Sequence, residues 1–203
     1  MSALNNGMQL CSACNAGNFP SVRSLVSSGA SVDYQDVING FTPAIRCSYR
    51  GHSDILQFIL EQGANADLAD NGGSTPLMYA AANNKYECAA VLVRHEVVLD
   101  AIDKSGRTAL LIASYRGNLP IVQLLAQSGA DIERADNHGS KPIAIARLYN
   151  RTAVVTYLSI ELNWRRRRNY ATVLNSLKGA PTSSKTVRAL QCYDVARVIG
   201  SYL

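Results

Sequence analysis

No stretch of this chain approaches the roughly 20 consecutive apolar residues that a membrane-crossing helix needs. The opening Met1-Ser2-Ala3-Leu4-Asn5-Asn6 has no basic start and no continuous apolar stretch after it, so no secretory signal is expected. Charged residues make up only 17% and aromatics 7%, and histidine occurs three times. Gly72-Gly73-Ser74 is not followed by the Lys-Ser/Thr of a phosphate-binding loop. His95-Glu96-Val97-Val98-Leu99 lacks the second histidine of a zinc-protease helix. Cys11-Ser12-Ala13-Cys14 is a C-x-x-C, but it has neither the second pair of a zinc site nor the strand–helix context of a redox motif. The cysteines number five, odd and scattered. Without a secretion signal they read as reduced thiols of an intracellular protein, cytoplasmic or else nuclear. No nucleophile–base pair stands out. The expectation is a protein that is not an enzyme and has no catalytic residue, cofactor or metal site.

What charge there is lies unevenly. The net charge is +5, yet residues 162–203 carry eight Lys/Arg against Asp194 alone. The remainder of the chain is slightly acidic. Two regions with different roles are expected, 4–161 and a basic extension, 162–203.

The first region is built on a period. Gly40, Gly73, Gly106 and Gly139 are each 33 residues apart, as are Asp70, Asp103 and Asp136. Gly51 and Gly117 share a slot with Asn84 and Asn150. Gly63-Ala64 and Gly129-Ala130 share another, where Glu96-Val97 is the odd copy. Gly29-Ala30 and Gly17 lie 34 before their counterparts, which puts one extra residue between Tyr34 and Gly40. Five copies result, at about 4–36, 37–70, 71–103, 104–136 and 137–161. Each reads as two short helices. In the fourth, Thr108 opens a segment with Leu110, Leu111 and Ala113 apolar, and Gly117-Asn118 breaks it. Pro120 sits in the first turn of the next helix, whose stripe is Ile121, Val122, Leu124 and Leu125, and Gly129 ends it. Helix pairs this short bury their apolar faces only by stacking.

Thr42-Pro43-Ala44, Thr75-Pro76-Leu77-Met78-Tyr79-Ala80-Ala81, Thr108-Ala109-Leu110, Gly51-His52 and the Gly-Ala pairs resemble the ankyrin repeat. The resemblance implies an all-α solenoid of stacked helix pairs with β-turn fingers. It also implies a non-catalytic scaffold that binds a protein partner through its concave face. The histidine of the family's Thr-Pro-Leu-His is replaced by Ile45, Met78, Leu111 and Ala144, so a less regular stack is expected. Lys141 and Met8 stand where the end repeats would have Thr.

The tetrapeptide Ser-Tyr-Arg-Gly occurs twice, at 48–51 and 114–117, each at the end of a first helix. In the resembled fold, first helices line the concave side. Tyr49, Arg50, Tyr115 and Arg116 are therefore expected in one groove, with Tyr149 at the same place in the fifth copy and Asn83 marking a shallow gap in the third. Ile38, Phe41, Lys104, Arg107 and His138 are expected on the fingers beside it. Exposed Tyr and Arg are the residues most enriched at binding hot spots. The plainer reading is that these side chains only cover neighbouring repeats. His52, His95 and His138 fall too far apart in the repeat scheme to share a metal.

In the extension, Asn163 is expected to cap a helix with Tyr170, Val173, Leu174 and Leu177 on one face. A loop at 178–184 and a last helix with Val187, Leu190, Val195, Val198 and Ile199 would complete a helical pair capping the stack. Arg165, Arg166, Arg167 and Arg168 read as a solvated helix face with stems on Trp164 and Tyr170. A nuclear-import signal, or a patch for nucleic acid or anionic lipid, is the competing reading. The ending Val195 to Leu203 bears a loose likeness to the closing helix of modules that recruit ubiquitin ligases. This leaves, as an alternative to a simple scaffold, an adaptor or a nuclear regulator.

Overall fold

The computed structural model describes the backbone of residues 2–178 and the side chains of residues 6–168. It is all-helical over that range. Ten helices follow one another in five pairs: α1 (Ser2–Ala16) with α2 (Phe19–Ser27), α3 (Pro43–Arg50) with α4 (Ser53–Glu61), α5 (Pro76–Ala82) with α6 (Tyr86–Arg94), α7 (Ala109–Arg116) with α8 (Leu119–Gln127), and α9 (Pro142–Leu148) with α10 (Thr152–Lys178). The chain divides into two compact units, Met1–Ser159 and Ile160–Leu203.

Capping chemistry recurs with the period. Thr42, Thr75 and Thr108 have extended backbones, and their hydroxyls accept the N–H of Ile45, Met78 and Leu111 at 3.1, 3.4 and 3.2 Å. Proline follows at the first helical position of α3 and α5, where its missing N–H costs nothing. Where the family's histidine is absent, Ile45, Met78 and Leu111 are buried instead, and all three N-caps are kept. The irregularity expected from the missing histidine does not reach these caps. Each first helix of the second to fifth copies ends on a left-handed residue, Gly51, Asn84, Gly117 or Asn150.

In the first unit, α1, α3, α5, α7 and α9 pack side by side as one row. Helices α4, α6 and α8 form a second row that is packed more loosely. The core lies between the rows. Leu56 and Ile59 of α4, Leu92 of α6, and Ile121 and Leu125 of α8 are fully buried, facing Ile45, Leu77 and Leu110. Burying one such side chain is worth about 1.5–3 kcal/mol. The first helices α3, α5, α7 and α9, with 7–8 residues, belong to the inner row, and α4, α6 and α8, with 9 each, form the outer one.

The last pair departs from the others. The slot filled by Gly63, Glu96 and Gly129, each with positive φ, is filled by Leu162. No glycine or proline interrupts residues 152–178, and Glu161 pairs with Arg165 one turn on at 2.9 Å, so the helix simply continues. Asn163 therefore lies inside α10 and does not cap a new helix. Of the loop expected at 178–184, Lys178 is the last residue of α10. The rest of that loop, the 187–199 helix and the Tyr170–Leu177 side-chain stripe lie outside the described residues.

Two glycines of the period separate turn strain from steric need. Gly129 has φ +103° with nothing within 4 Å of an added Cβ, so Gly129→Ala meets only the left-handed backbone penalty, about 1–2 kcal/mol. Gly106 has φ +77° and an added Cβ would sit 2.3 Å from Asn137 Oδ1 and 2.7 Å from the Asn137 backbone nitrogen. Gly106→Ala is expected to lower the melting temperature clearly more than Gly129→Ala, as read by circular dichroism.

Candidate functional site

The fingers between repeats are organised by a carboxylate. Asp70 Oδ1 accepts the N–H of Gly72 and Ser74, both at 2.8 Å. Asp103 Oδ1 accepts Ser105 and Arg107, and Asp136 Oδ1 accepts His138 and Ser140, all at 2.9 Å. Asp36 does the same in the longer finger, to Ile38 at 3.1 Å and Asn39 at 2.7 Å. Although burial alone would raise its pKa, the backbone N–H groups of Asn39 and Ile38 and the Arg46 guanidinium hold Asp36 below the usual carboxylate range.

Successive fingers are tied edge to edge. The N–H of Asn71, Lys104 and Asn137 donate to the carbonyls of Asn39, Gly72 and Ser105 at 2.9, 3.0 and 3.0 Å. A second ladder runs past the outer helices. The N–H of Asn65, Val98 and Asp131 donate to Asp33, Asp67 and Asp100 at 2.8, 3.0 and 3.0 Å.

Above the fingers, the inner row carries rings. Phe41 and Tyr49 both meet Tyr79 edge to face, at 5.3 and 6.1 Å between centroids, and Tyr115 meets Tyr149 at 4.5 Å. Tyr49, Tyr115 and Tyr149 keep 40, 37 and 44% of their surface in solvent. Tyr79 is more enclosed; its hydroxyl donates to Asp70 Oδ2 at 2.7 Å, and burial followed by that bond pushes its pKa up. Between Tyr79 and the Tyr115–Tyr149 pair opens a recess of about 570 Å³, floored by Met78, Ala82, Leu111, Ile112 and Ile145. Arg107, Arg116 and Asp136 stand at its sides.

The residues picked out from sequence are distributed as follows. Arg107, Tyr115, Arg116 and Tyr149 line the recess, and the Arg116 guanidinium lies over the Tyr115 ring at 5.4 Å. Arg107 binds Asp103 Oδ2 at 2.7 Å. Tyr49 leans on Tyr79, while Arg50 turns toward the first repeat, where its Nε donates to Asn15 at 3.0 Å. Asn83 donates to the Tyr79 carbonyl at 2.9 Å, beside the gap left by Ala82. Lys104 and His138 are exposed on the fingers. Ile38 is 80% exposed at a finger tip, whereas Phe41 is half-covered between Tyr79 and the Arg46 guanidinium 4.5 Å from its ring. Sequence reasoning passed over Tyr79, Ile112, Ile145, Asp136 and the exposed Val37. The signal was there: Tyr79, Ile112 and Ile145 occupy the slot of Arg46 at the same period.

A model of ankyrin repeats in three copies matches residues 10–103 and 95–165. The chain is an ankyrin-repeat protein. It is similar to the mouse B-cell lymphoma 3 protein homolog, 37% identical over 98 residues, 48% of this chain and 22% of that one. It is also similar to the ankyrin repeat and KH domain-containing protein mask-1 of Caenorhabditis elegans, 26% identical over 92% of this chain and 7% of the relative. A third is the E3 ubiquitin-protein ligase KEG of Arabidopsis thaliana, 30% identical over 72% of this chain and 9% of the relative. The chain thus spans less than a quarter of each of these relatives. Ankyrin repeats are in general non-catalytic modules for protein–protein interaction.

The remaining candidate chemistry of this ankyrin protein is structural. Among the described residues no group of His, Cys, Asp and Glu is placed to hold a metal ion, and no helix is long and apolar enough to cross a membrane. On α10, Arg165 is engaged with Glu161, and Arg168 lies over the Trp164 ring at 5.3 Å. Cys11, Cys14, Cys47 and Cys88 are buried thiols. Burial pushes Cys11 and Cys88 up to about 12. Hydrogen bonding to Cys14 and then burial also raise Cys47. A raised thiol pKa keeps the unreactive protonated form across the whole range below it. Iodoacetamide labelling of Cys11 and Cys88 in the native protein is therefore expected to stay negligible from pH 7 to pH 9, and to appear only in denaturant. Mass spectrometry of tryptic peptides reads this directly.

Proposed function

We propose that the concave face over α5, α7 and α9 is where this module holds a protein partner, with the fingers as its rim. One observation carries the reading. Tyr115 and Tyr149 are large rings that the fold leaves about 40% exposed, at the mouth of a recess with an apolar floor. A ring serving only as core would be closed over by its neighbours. Here the two rings support each other edge to face and leave the floor of Leu111, Ile112 and Ile145 open to a third group. Apolar floor, aromatic mouth and charged rim make the usual composition of a binding hot spot. Tyr49, Phe41 and Ile38 extend this surface toward the first repeats, with Asn83, Lys104, Arg107, Arg116 and His138 beside it and Arg50 on its edge. On this reading the protein is a scaffold without catalytic residues.

A second reading gives the extension a task of its own, recruiting further machinery such as a ubiquitin ligase. It draws on Ile160 and Trp164 of α10, which are 64 and 53% exposed.

The test places a photo-crosslinking amino acid at Ile112, in the recess, and separately at Glu87 on the outer helix α6, in the full chain, with irradiation in extract of the native cell. A specific adduct from position 112 and none from position 87 is expected. The double change Tyr115→Ala with Tyr149→Ala should abolish the adduct. Each ring is more than half buried, so the double change also removes packed area and lowers the melting temperature; circular dichroism at the assay temperature is expected to show the helices still formed. Equal adducts from both positions, or an adduct that survives the double change, would contradict the reading.

A further inference from the structure

The four finger carboxylates are equivalent in sequence, and comparing them reveals one that is incomplete. In each, Oδ1 is occupied by two backbone N–H groups. The second oxygen is where they differ. Asp36 Oδ2 receives the Arg46 guanidinium at 3.1 Å, Asp70 Oδ2 the Tyr79 hydroxyl at 2.7 Å, and Asp103 Oδ2 the Arg107 guanidinium at 2.7 Å. These donors come from two slots of the repeat. One holds Arg46, Tyr79, Ile112 and Ile145; the other holds Phe41, Ser74, Arg107 and Ser140. The second, third and fourth repeats fill one slot or the other with a side-chain donor that reaches the carboxylate. The fifth offers Ile145, which has no donor, and Ser140, whose backbone N–H serves Oδ1 and whose hydroxyl makes no bond to Oδ2. Arg134, two residues away, makes no ion pair with Asp136, and Lys141, five residues on, is turned to Glu133 at 3.4 Å. Among the described residues, Asp136 Oδ2 has no donor. It stands half-buried at the wall of the recess, beside Ile145.

Asp136 Oδ2 is open to the solvent of the recess and bound to no side chain, so an incoming cation exchanges water there for a charge-assisted bond. Resting on the concave-face reading above, we propose that the recess selects a partner segment in which an arginine or lysine neighbours an apolar side chain. The cation completes Asp136 as Arg46 completes Asp36, and the apolar group sits on Ile112 and Ile145. Two of the three internal donors in this geometry are guanidinium groups, and charge-assisted bonds to carboxylate are the stronger kind. Arginine is therefore favoured over lysine. Arg116 has no carboxylate partner among the described residues, so it opposes a segment that is basic throughout; one cation beside an apolar residue is the fit.

Random peptides displayed on phage are selected on the immobilised full chain, then measured as fluorescein-labelled synthetic peptides by anisotropy. The expected winners share Arg or Lys next to an aliphatic or aromatic residue, and lose binding with Tyr115→Ala. Asp136→Asn keeps the Oδ1 acceptor that holds the finger, and should weaken these peptides about tenfold or more. Ile145→Arg supplies the missing internal donor. It should leave melting unchanged or raised while removing the preference for a basic residue, so a misfolded Asp136→Asn does not leave the matter open. Winners that need Tyr115 but lack a basic residue, or that ignore both substitutions, overturn the Asp136 assignment and leave the concave-face reading standing. If no winner depends on Tyr115, both fall.

Discussion

The structure depends on one polar interaction repeated along its edge: a buried or half-buried aspartate at the root of each finger, holding the turn's own N–H groups. A turn left to water would let each helix pair rotate on the next. With Asp70, Asp103 and Asp136 fixing the turn, Asn71, Lys104 and Asn137 present their N–H groups to the carbonyl of the preceding finger, always one period back. Individually these bonds contribute about 1 kcal/mol. Their value is in registry, since a slip of one residue would leave every finger amide of the ladder unpaired at once. The hydrophobic core supplies the larger driving force, but it is tolerant of small rotations that the ladder is not.

Registry is what turns a row of short helices into a surface. The core uses the faces of α3, α5 and α7 that look toward the outer helices, where Ile45, Leu77 and Leu110 are fully buried. The opposite face is released from packing duty. Tyr49, Tyr79, Tyr115 and Tyr149 stand on it, and rings from neighbouring repeats meet edge to face, 30 residues apart for Tyr49 and Tyr79 and 34 for Tyr115 and Tyr149. The alanine at position 82 interrupts the row, and the recess begins there. Chemistry that each earlier repeat satisfies within itself is then left open in the fifth, at Asp136.

Much of this was legible in the sequence because a period exposes equivalence. The steps of 33 residues in Gly and Asp defined the helix pairs and their stops, and the resemblance to the ankyrin repeat supplied the inner side of the stack. What the period could not give was the direction of side chains with two choices of partner. Arg50 and Arg116 are equivalent in sequence and each lies over its own tyrosine, yet only Arg50 also bonds Asn15 of the first repeat, while Arg116 borders the recess. Tyr79 lies inside the Thr75–Ala81 signature and carries no separate signal of its place on the ring face. The long α10 was missed for a different reason. Asn163 is a good cap residue, but Leu162 in the glycine slot removes the stop that would have made a cap necessary.

The central claim is that finger amides lying in solvent-facing turns are held in register by their neighbours. Amide hydrogen exchange at single-residue resolution tests it. The account requires the N–H groups of Asn71, Lys104 and Asn137 to exchange far more slowly than unstructured amides, despite their position at the surface. Exchange at the free rate at these three sites, with the helices still protected, would contradict it.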